Sequence, residues 1–295
     1  MPRPDVVHLN GEYLLRSEAR ISPDDRGFLF GDGLYEVSPA YRGSFLALER
    51  HMARLGRGGE AIGVMLPDGL EELHLELLRR NDLLEEPMCI VYLQVTRGTA
   101  PRTHAFPDPA VAPTVYAWAK PFVRPPAEEW ARGYGAVTVP DQRWARADVK
   151  TTQLLPQVLA QQAAREAGET DALMIRDGLA VEGAHNNVFF VLDDVLVTHP
   201  ASNQILPGIT REILLELAQE AGIPSVERPV PVREARRASE IFFTGTTTEV
   251  RPTVRLDGAP VGGGEVGPLA RRIRDLFLER IEREWSPPTR TPRVR

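Results

Sequence analysis

The chain has 295 residues, 42% hydrophobic and 26% charged, with a formal net charge of −6. That size and balance suit one large domain or two ordinary ones with a sizeable core. The mildly acidic charge marks no nucleic-acid partner, and no apolar run of about 18 residues predicts a membrane span. A single cysteine, Cys89, excludes an intramolecular disulfide and any multi-thiolate metal site. The opening residues lack the basic-then-apolar order of a secretory leader, so a cytoplasmic location is expected.

In chain order, VVHLNGEYLL alternates around Asn-Gly and predicts a β-hairpin. SPDDRGFLFGDGLYEVSPAYRGSFLAL reads as strand-like segments separated by glycine-rich turns. ALERHMARLGRGGEAIGV predicts an amphipathic helix, with Leu48, Met52, Leu55 and Ile62 roughly on one face, weakened by its glycines. GLEELHLELLRRNDL is a second, cleaner helix, and CIVYLQVTRG and TVYAWAKPF are buried strands. Residues 123–134, rich in proline, glycine and charge, predict a linker. Beyond it come the strand YGAVTVPD and a helix from about 151 to 167, with Pro156 in its first turns. Asp-Gly and Asp-Asp then punctuate two hairpins, GITREILLELAQEAG is a helix, and ASEIFFTGTTTEVRPTV ends a strand in hydroxyl residues. A last helix spans about 265–284, and residues 286–295 predict a disordered tail. Mixed short strands with interspersed helices predict an α+β (α/β) chain of two domains, 1–122 and 135–285.

Of the 35 basic residues only two are lysines, Lys120 and Lys150. A general preference for arginine explains most of this bias. Arginine, however, stays charged and forms no imine, so surviving lysines are candidates for sites that need an amine. Lys120 reads as a solvated strand end. The glycine clusters at 56–63 and 262–265 lack the spacing and context of a nucleotide-binding loop. The six histidines form no close metal-binding pair, and no serine-nucleophile elbow is present. Amine chemistry on pyridoxal 5′-phosphate needs an imine lysine, donors for a dianionic phosphate and an acid facing the pyridine nitrogen. Lys150, between a strand and the helix expected near Thr151, is the first. Glu182 in AVEGAHNNVFF is a candidate for the acid, and the start of the helix in LPGITREILLEL a candidate phosphate site.

Five segments in order, DRGFLFGDGLYEV, HMARL, RADVKTTQLLPQVLA, VEGAHNNVFFV with ILPGITRE, and FFTGTTTEVRPTVRLDG, resemble the fold-type IV pyridoxal phosphate enzymes. The resemblance implies a small N-terminal α/β domain and a larger C-terminal pseudo-barrel domain. It implies that Lys150 forms the Schiff base and shuttles the Cα proton, and that Glu182 pairs with the pyridinium. Arg54 would bind the phosphate with Ile209, Thr210, Gly245 and Thr246, while Leu206 lies against the ring and Tyr35 lines the site.

Within the family, QVTRGTAPRTHAFP is similar to the substrate-carboxylate loop of D-amino acid aminotransferases, whose Arg-x-His pair is here Arg102 and His104. A guanidinium matches an α-carboxylate bidentately, and residues two apart in an extended loop point the same way. The resemblance implies that this loop serves the neighbouring subunit's site, hence a homodimer. It also implies D-amino acid and 2-oxo acid substrates, of the D-alanine, D-glutamate, pyruvate and 2-oxoglutarate type. The alternatives are an L-branched-chain aminotransferase or an aminodeoxychorismate lyase. Departures from the pattern are Ala184, His185, Asn186 and Asn187 where small hydroxyl residues are common, Gly245 in place of a serine, and Ser38-Pro39 after YEV, expected to reshape the substrate pocket.

Overall fold

In the computed structural model, which describes residues 3–285, the chain divides into two units. The first takes the residues up to Val123, Val149–Gln153 and the chain from Ile281; the second takes Arg124–Asp148 and Leu154–Arg280.

The first unit runs β1 (Val6–Leu9), β2 (Glu12–Leu15), α1 (Arg26–Phe30), β3 (Gly33–Tyr41), β4 (Ser44–Phe45), α2 (Leu48–Ile62), α3 (Leu70–Arg80), β5 (Cys89–Thr96) and β6 (Thr114–Pro121). Its six strands form one antiparallel sheet in the order β2-β1-β6-β5-β3-β4. On β3, Leu34, Glu36, Ser38 and Ala40 are buried while Tyr35 and Val37 are only partly so, which is the period-two pattern of a strand with one face covered. The covered face packs on α2 and α3 through Leu34, Leu55, Leu73, Leu77, Val91 and Leu93. The glycines of α2 serve this packing. A Cβ at Gly58 would lie 3.0 Å from the Leu34 side chain, and one at Gly59 would lie 2.7 Å from the Val64 carbonyl oxygen.

Residues 26–30 are a short helix rather than a strand. The Asp25 carboxylate caps it by accepting from Gly27 N at 2.8 Å, and Gly31 closes it in the left-handed region.

The second unit runs α4 (Ala127–Arg132), β7 (Tyr134–Pro140), α5 (Leu155–Glu166), β8 (Asp171–Arg176), β9 (Leu179–Gly183), β10 (Asn187–Leu192), β11 (Val195–Thr198) and α6 (Ile209–Glu220). It continues through β12 (Ser225–Glu227), β13 (Val230–Pro231), α7 (Val232–Ala235), β14 (Glu240–Gly245), β15 (Glu249–Leu256), β16 (Ala259–Pro260) and α8 (Pro268–Glu284), whose residues from Ile281 group with the first unit. The strand path is β12-β11-β10-β14-β15-β7-β8-β9-β13, with β16 on β15, and the β7 pairings are parallel. Strands β9 and β10 also touch, so the stretch from β10 to β9 returns on itself around Leu173, Val188, Phe190 and Phe243. Every residue of β10 is buried, with Phe189 stacked on Phe242 on its other face, which explains its unbroken apolar run.

Two boundaries differ from the sequence reading. Residues 123–134, expected as a linker, hold α4, whose Trp130 is buried and donates from Nε1 to the Val250 carbonyl at 2.6 Å. The helix expected from about 151 begins at Leu155, with Pro156 in its first turn. The backbone before it is bound to β3 instead, since Tyr35 N donates to Lys150 O, Thr152 N donates to Gly33 O, and Thr151 bridges Leu34. The expected tail at 286–295 lies outside the described residues. No helix among the described residues is long and apolar enough to cross a membrane.

Candidate active site

Lys150 belongs to the first unit and is built onto β3. Because residues 150–152 pair with that strand, Lys150 is fixed beside Tyr35, and its Nζ lies 4.2 Å from the Tyr35 ring centroid. Tyr35 heads an aromatic stack across the sheet, with Tyr92 at 5.6 Å and Trp118 a further 5.3 Å on. Lys120 is exposed at the end of β6, with Nζ near the Trp118 ring.

On the opposite face of β3, Glu36 is fully buried and Arg54 grips it along one guanidinium edge, Nε to Oε1 at 2.7 Å and Nη2 to Oε2 at 2.8 Å. His51, one helical turn earlier on α2, shares Oε2 through Nδ1 at 3.0 Å. Burial pushes the Glu36 carboxyl up, but Arg54 and His51 outweigh it and hold it well below the ordinary carboxylate range. Burial likewise lowers His51, against the raising effect of Glu36. Arg54 is thus an oriented arginine inside the protein. Ser38 also faces this side, 3.3 Å from His74 Nε2, while Pro39 alternates to the Tyr35 side of the strand.

The candidate acid belongs to the second unit. Glu182, at the end of β9, accepts from Asn187 Nδ2 at 2.8 Å, from Leu206 N at 3.1 Å and from Arg143 Nη1. Asp141 holds the other end of Arg143 through Nε at 2.9 Å and Nη2 at 2.8 Å. Burial pushes the Glu182 carboxyl up to about 7, with Arg143 opposing. Opposite charge brought beside so raised an acid favours its ionised form.

The sequence reading names Glu182 and Leu206 as candidates and Asn187 as a departure from the pattern, and it does not name Arg143. Asn187 Nδ2 also donates to Leu206 O at 2.9 Å, so the residue departing from the hydroxyl pattern ties the acid to the loop before α6. The neighbouring Asn186 instead donates to Asp171 at 2.9 Å, and His185 is exposed. Helix α6 starts at Ile209 and Thr210, both buried, with Gly208 at its N-cap and no side-chain cap. Its first amides therefore lack a side-chain acceptor and favour an anion. Gly245 and Thr246 lie where β14 turns into β15, and a Cβ at Gly245 would meet nothing closer than 3.5 Å.

The carboxylate-loop candidates belong to the first unit. Arg102 and His104 are both exposed and flank one ring: the Arg102 guanidinium lies 5.3 Å from the Phe30 centroid, and the His104 ring lies 5.7 Å from it. Sequence spacing placed the pair on one side of the loop but did not reveal the α1 aromatic beneath them.

The sequence profile of the amino-transferase class IV family matches residues 33–256. The chain is 39% identical to a D-alanine aminotransferase of Staphylococcus aureus over 94% of its length and 98% of that protein. It is 40% identical to the Bacillus licheniformis D-alanine aminotransferase over 95% and 98%. Among solved structures, the Escherichia coli branched-chain amino acid aminotransferase superposes with a TM-score of 0.88 at 26% identity, covering 96% and 97% of the two chains. A T.th. branched-chain amino acid aminotransferase with pyridoxamine 5′-phosphate superposes with a TM-score of 0.86 at 26% identity, covering 97% and 96%. The architecture is that of the fold-type IV aminotransferases, and the chain belongs to the class IV aminotransferase family.

Proposed function

We propose that this aminotransferase works on pyridoxal 5′-phosphate and exchanges amino groups between D-amino acids of the D-alanine and D-glutamate type and 2-oxo acids such as pyruvate and 2-oxoglutarate. The donor set fits the cofactor: an amine on an otherwise lysine-poor chain, a buried acid suited to a cation, and a helix start without a side-chain cap. When bound, the cofactor supplies a ring that accepts the electron pair left on Cα.

Each residue then has a task. Lys150 holds the cofactor covalently, and its Nζ carries the proton released from Cα. Glu182, oriented by Arg143, Asn187 and Leu206 N, keeps the ring nitrogen protonated. The amides of Ile209 and Thr210, with Gly245 and Thr246, receive the phosphate, and Arg54 contributes its charge. Leu206 packs on the ring face, and Tyr35 holds Lys150 Nζ against its own ring.

Handedness depends on where the substrate carboxylate is held, because that decides which Cα–H faces Lys150. The observation that carries the D-amino acid reading is the exposed placement of Arg102 and His104 on one side of a single loop, able to take one carboxylate together. The 39% identity to D-alanine aminotransferases supports it, while the likeness to branched-chain enzymes is at 26%. The exposed pair suits a homodimer in which each loop serves the other subunit's site. A cytoplasmic enzyme agrees with the single, buried cysteine.

The test is a pair of assays with 2-oxoglutarate as acceptor, one with D-alanine and one with L-leucine, alongside an absorbance spectrum. We expect the visible band of a protonated Schiff base and turnover of D-alanine. Turnover of L-leucine alone would overturn the D-specific reading, pyruvate release from aminodeoxychorismate without an amino acceptor would favour the lyase, and a protein without the band would remove the cofactor.

A further inference from the structure

The carboxylate loop does not stand alone, and what lies beneath it is more ordered than an exposed loop requires. Arg26, 3% exposed, donates from Nη1 to the Thr103 carbonyl at 2.7 Å and to the Ala105 carbonyl at 3.3 Å. These two carbonyls bracket His104. Arg26 Nε donates to Asp32 Oδ2 at 2.8 Å, and Arg97 reaches the same carboxylate through Nε at 2.8 Å and Nη2 at 3.0 Å. Burial raises the Asp32 carboxyl, but hydrogen bonds from Arg97 and Arg26 outweigh it and lower it, so it stays ionised between them. Arg97 also donates to the Gly63 and Ile62 carbonyls at 2.7 Å each, and its guanidinium lies 3.6 Å from the Phe106 centroid at the far end of the loop.

The backbone of the loop is therefore pinned from below at Thr103 and Ala105, and the Phe106 ring rests on Arg97. The two recognition side chains are free of that pinning. What holds them is Phe30, half-buried at the end of α1, whose ring also covers Arg26 at 4.8 Å. A cation over an aromatic face gains about 0.5–1 kcal/mol at an exposed site and more once desolvated. That offsets part of the about 1.5–2 kcal/mol of rotamer freedom of a long, flexible arginine and biases it toward one orientation.

We propose that Phe30 is a positioning residue for substrate carboxylate recognition. Its ring pre-orients Arg102 and His104, and the Arg26–Asp32–Arg97 cluster fixes the loop backbone that carries them. The inference rests on the carboxylate role of Arg102 and adds the group that makes the pair act together. A pre-oriented pair lowers the entropic cost of binding, so the effect belongs in KM for both amino and oxo acid more than in kcat.

The experiment compares Phe30→Leu, Phe30→Tyr and Arg102→Gln as purified holoenzymes, titrated with D-alanine and with 2-oxoglutarate. Phe30→Leu keeps most of the volume but removes the aromatic face. It is expected to raise both KM values by about 3- to 30-fold, with a smaller change in kcat and an unaltered cofactor spectrum. Phe30→Tyr keeps the face and is expected to return both values toward wild type. If Arg102→Gln raises KM while Phe30→Leu does not, the positioning role is overturned and the carboxylate reading stands. If Arg102→Gln leaves KM unchanged, the carboxylate reading itself fails. A Phe30→Leu protein that no longer retains cofactor, or a Phe30→Tyr protein as impaired as Phe30→Leu, makes Phe30 a residue of the fold and also overturns the proposal.

Discussion

Arg54 meets Glu36 edge to edge, with Nε donating to Oε1 at 2.7 Å and Nη2 to Oε2 at 2.8 Å, both side chains buried. An arginine that only balanced a phosphate would need no such partner. Here the carboxylate fixes the guanidinium plane before any ligand arrives, and His51 fixes the carboxylate. Removing one partner of a buried pair leaves an uncompensated charge and costs about 3–5 kcal/mol.

Glu36→Ala should therefore lower the unfolding free energy of the apo-protein by about 3–5 kcal/mol, with a smaller loss for Glu36→Gln, which keeps one acceptor. Denaturant titration measures this. Cofactor affinity should fall in parallel, since Arg54 loses its orientation. Because the folded-state value of Glu36 is depressed, its contribution is full above pH about 4.5 and fades as acid protonates it. The acid limb of the wild-type stability curve should accordingly be steeper than that of Glu36→Gln.

Glu182 behaves in the opposite sense. Its folded-state value is raised to about 7, so the apo-protein gains most from the neutral acid below pH about 4.5. It loses that gain as pH rises through about 7. Glu182→Gln, always neutral, should flatten the loss between those limits in thermal melts of the apo-protein. Cofactor addition should stabilise wild type most at the upper end of the window, where the carboxylate is ionised. An identical slope in wild type and Glu182→Gln would contradict the assignment. Arg143→Met removes the opposing charge, raises the carboxyl further and should move the loss to higher pH.

Much of this was readable in the sequence. Residue type beside a local pattern makes Lys150, Glu182 and the helix start at 209 candidates, and the alternation of LYEV gives a strand with one covered face. The structure added the long-range partners. Arg143 reaches Glu182 across 39 positions, and Arg26 reaches Thr103 across 77, so no local period could reveal either contact. Propensity also misplaced two segments. Thr151–Gln153 looked like a helix start, but the edge of β3 takes its backbone hydrogen bonds. The segment RGFLF reads as strand-like from its aromatic content, but Asp25 and Gly31 cap it as a helix, a signal present in the sequence.

Gly208→Ala tests the coupling between Asn187 and the start of α6. Gly208 has an ordinary negative φ, so alanine causes no backbone strain there. Its Cβ would instead fall 2.0 Å from Asn187 Oδ1, forcing Asn187 to move and release Glu182 and Leu206. We expect a loss of about 1–3 kcal/mol in stability from this overpacking. Cofactor affinity should fall with it, and equilibrium dialysis measures that directly. Gly245→Ala, where a Cβ meets nothing closer than 3.5 Å, is the matched control and should show little of either effect.

Lys150→Ala separates chemistry from folding. The backbone carbonyl of Lys150, not its side chain, bonds Tyr35 N, so the strand pairing of residues 150–152 survives the substitution. Turnover of D-alanine should vanish together with the Schiff-base absorbance, while the melting temperature of the apo-protein changes by no more than a few degrees. Retained turnover would contradict the role assigned to the lysine.

Helix α5 presents exposed apolar residues in the second unit. Leu155, Val158 and Leu159 fall at i, i+3 and i+4 and are 68%, 58% and 52% exposed, which makes one apolar stripe. The homodimer proposed above, with its shared carboxylate loops, would need an apolar surface of this kind. Wild type should run in light scattering at twice the 32.8 kDa of the single chain. Val158→Glu with Leu159→Glu places two carboxylates on the stripe and should shift the population to the single-chain mass. The helix keeps its buried face on Ala160 and Ala164, so far-ultraviolet circular dichroism should hold. Activity should then depend on protein concentration, rising as subunits are forced together. A wild type already at the single-chain mass would overturn the shared-site arrangement.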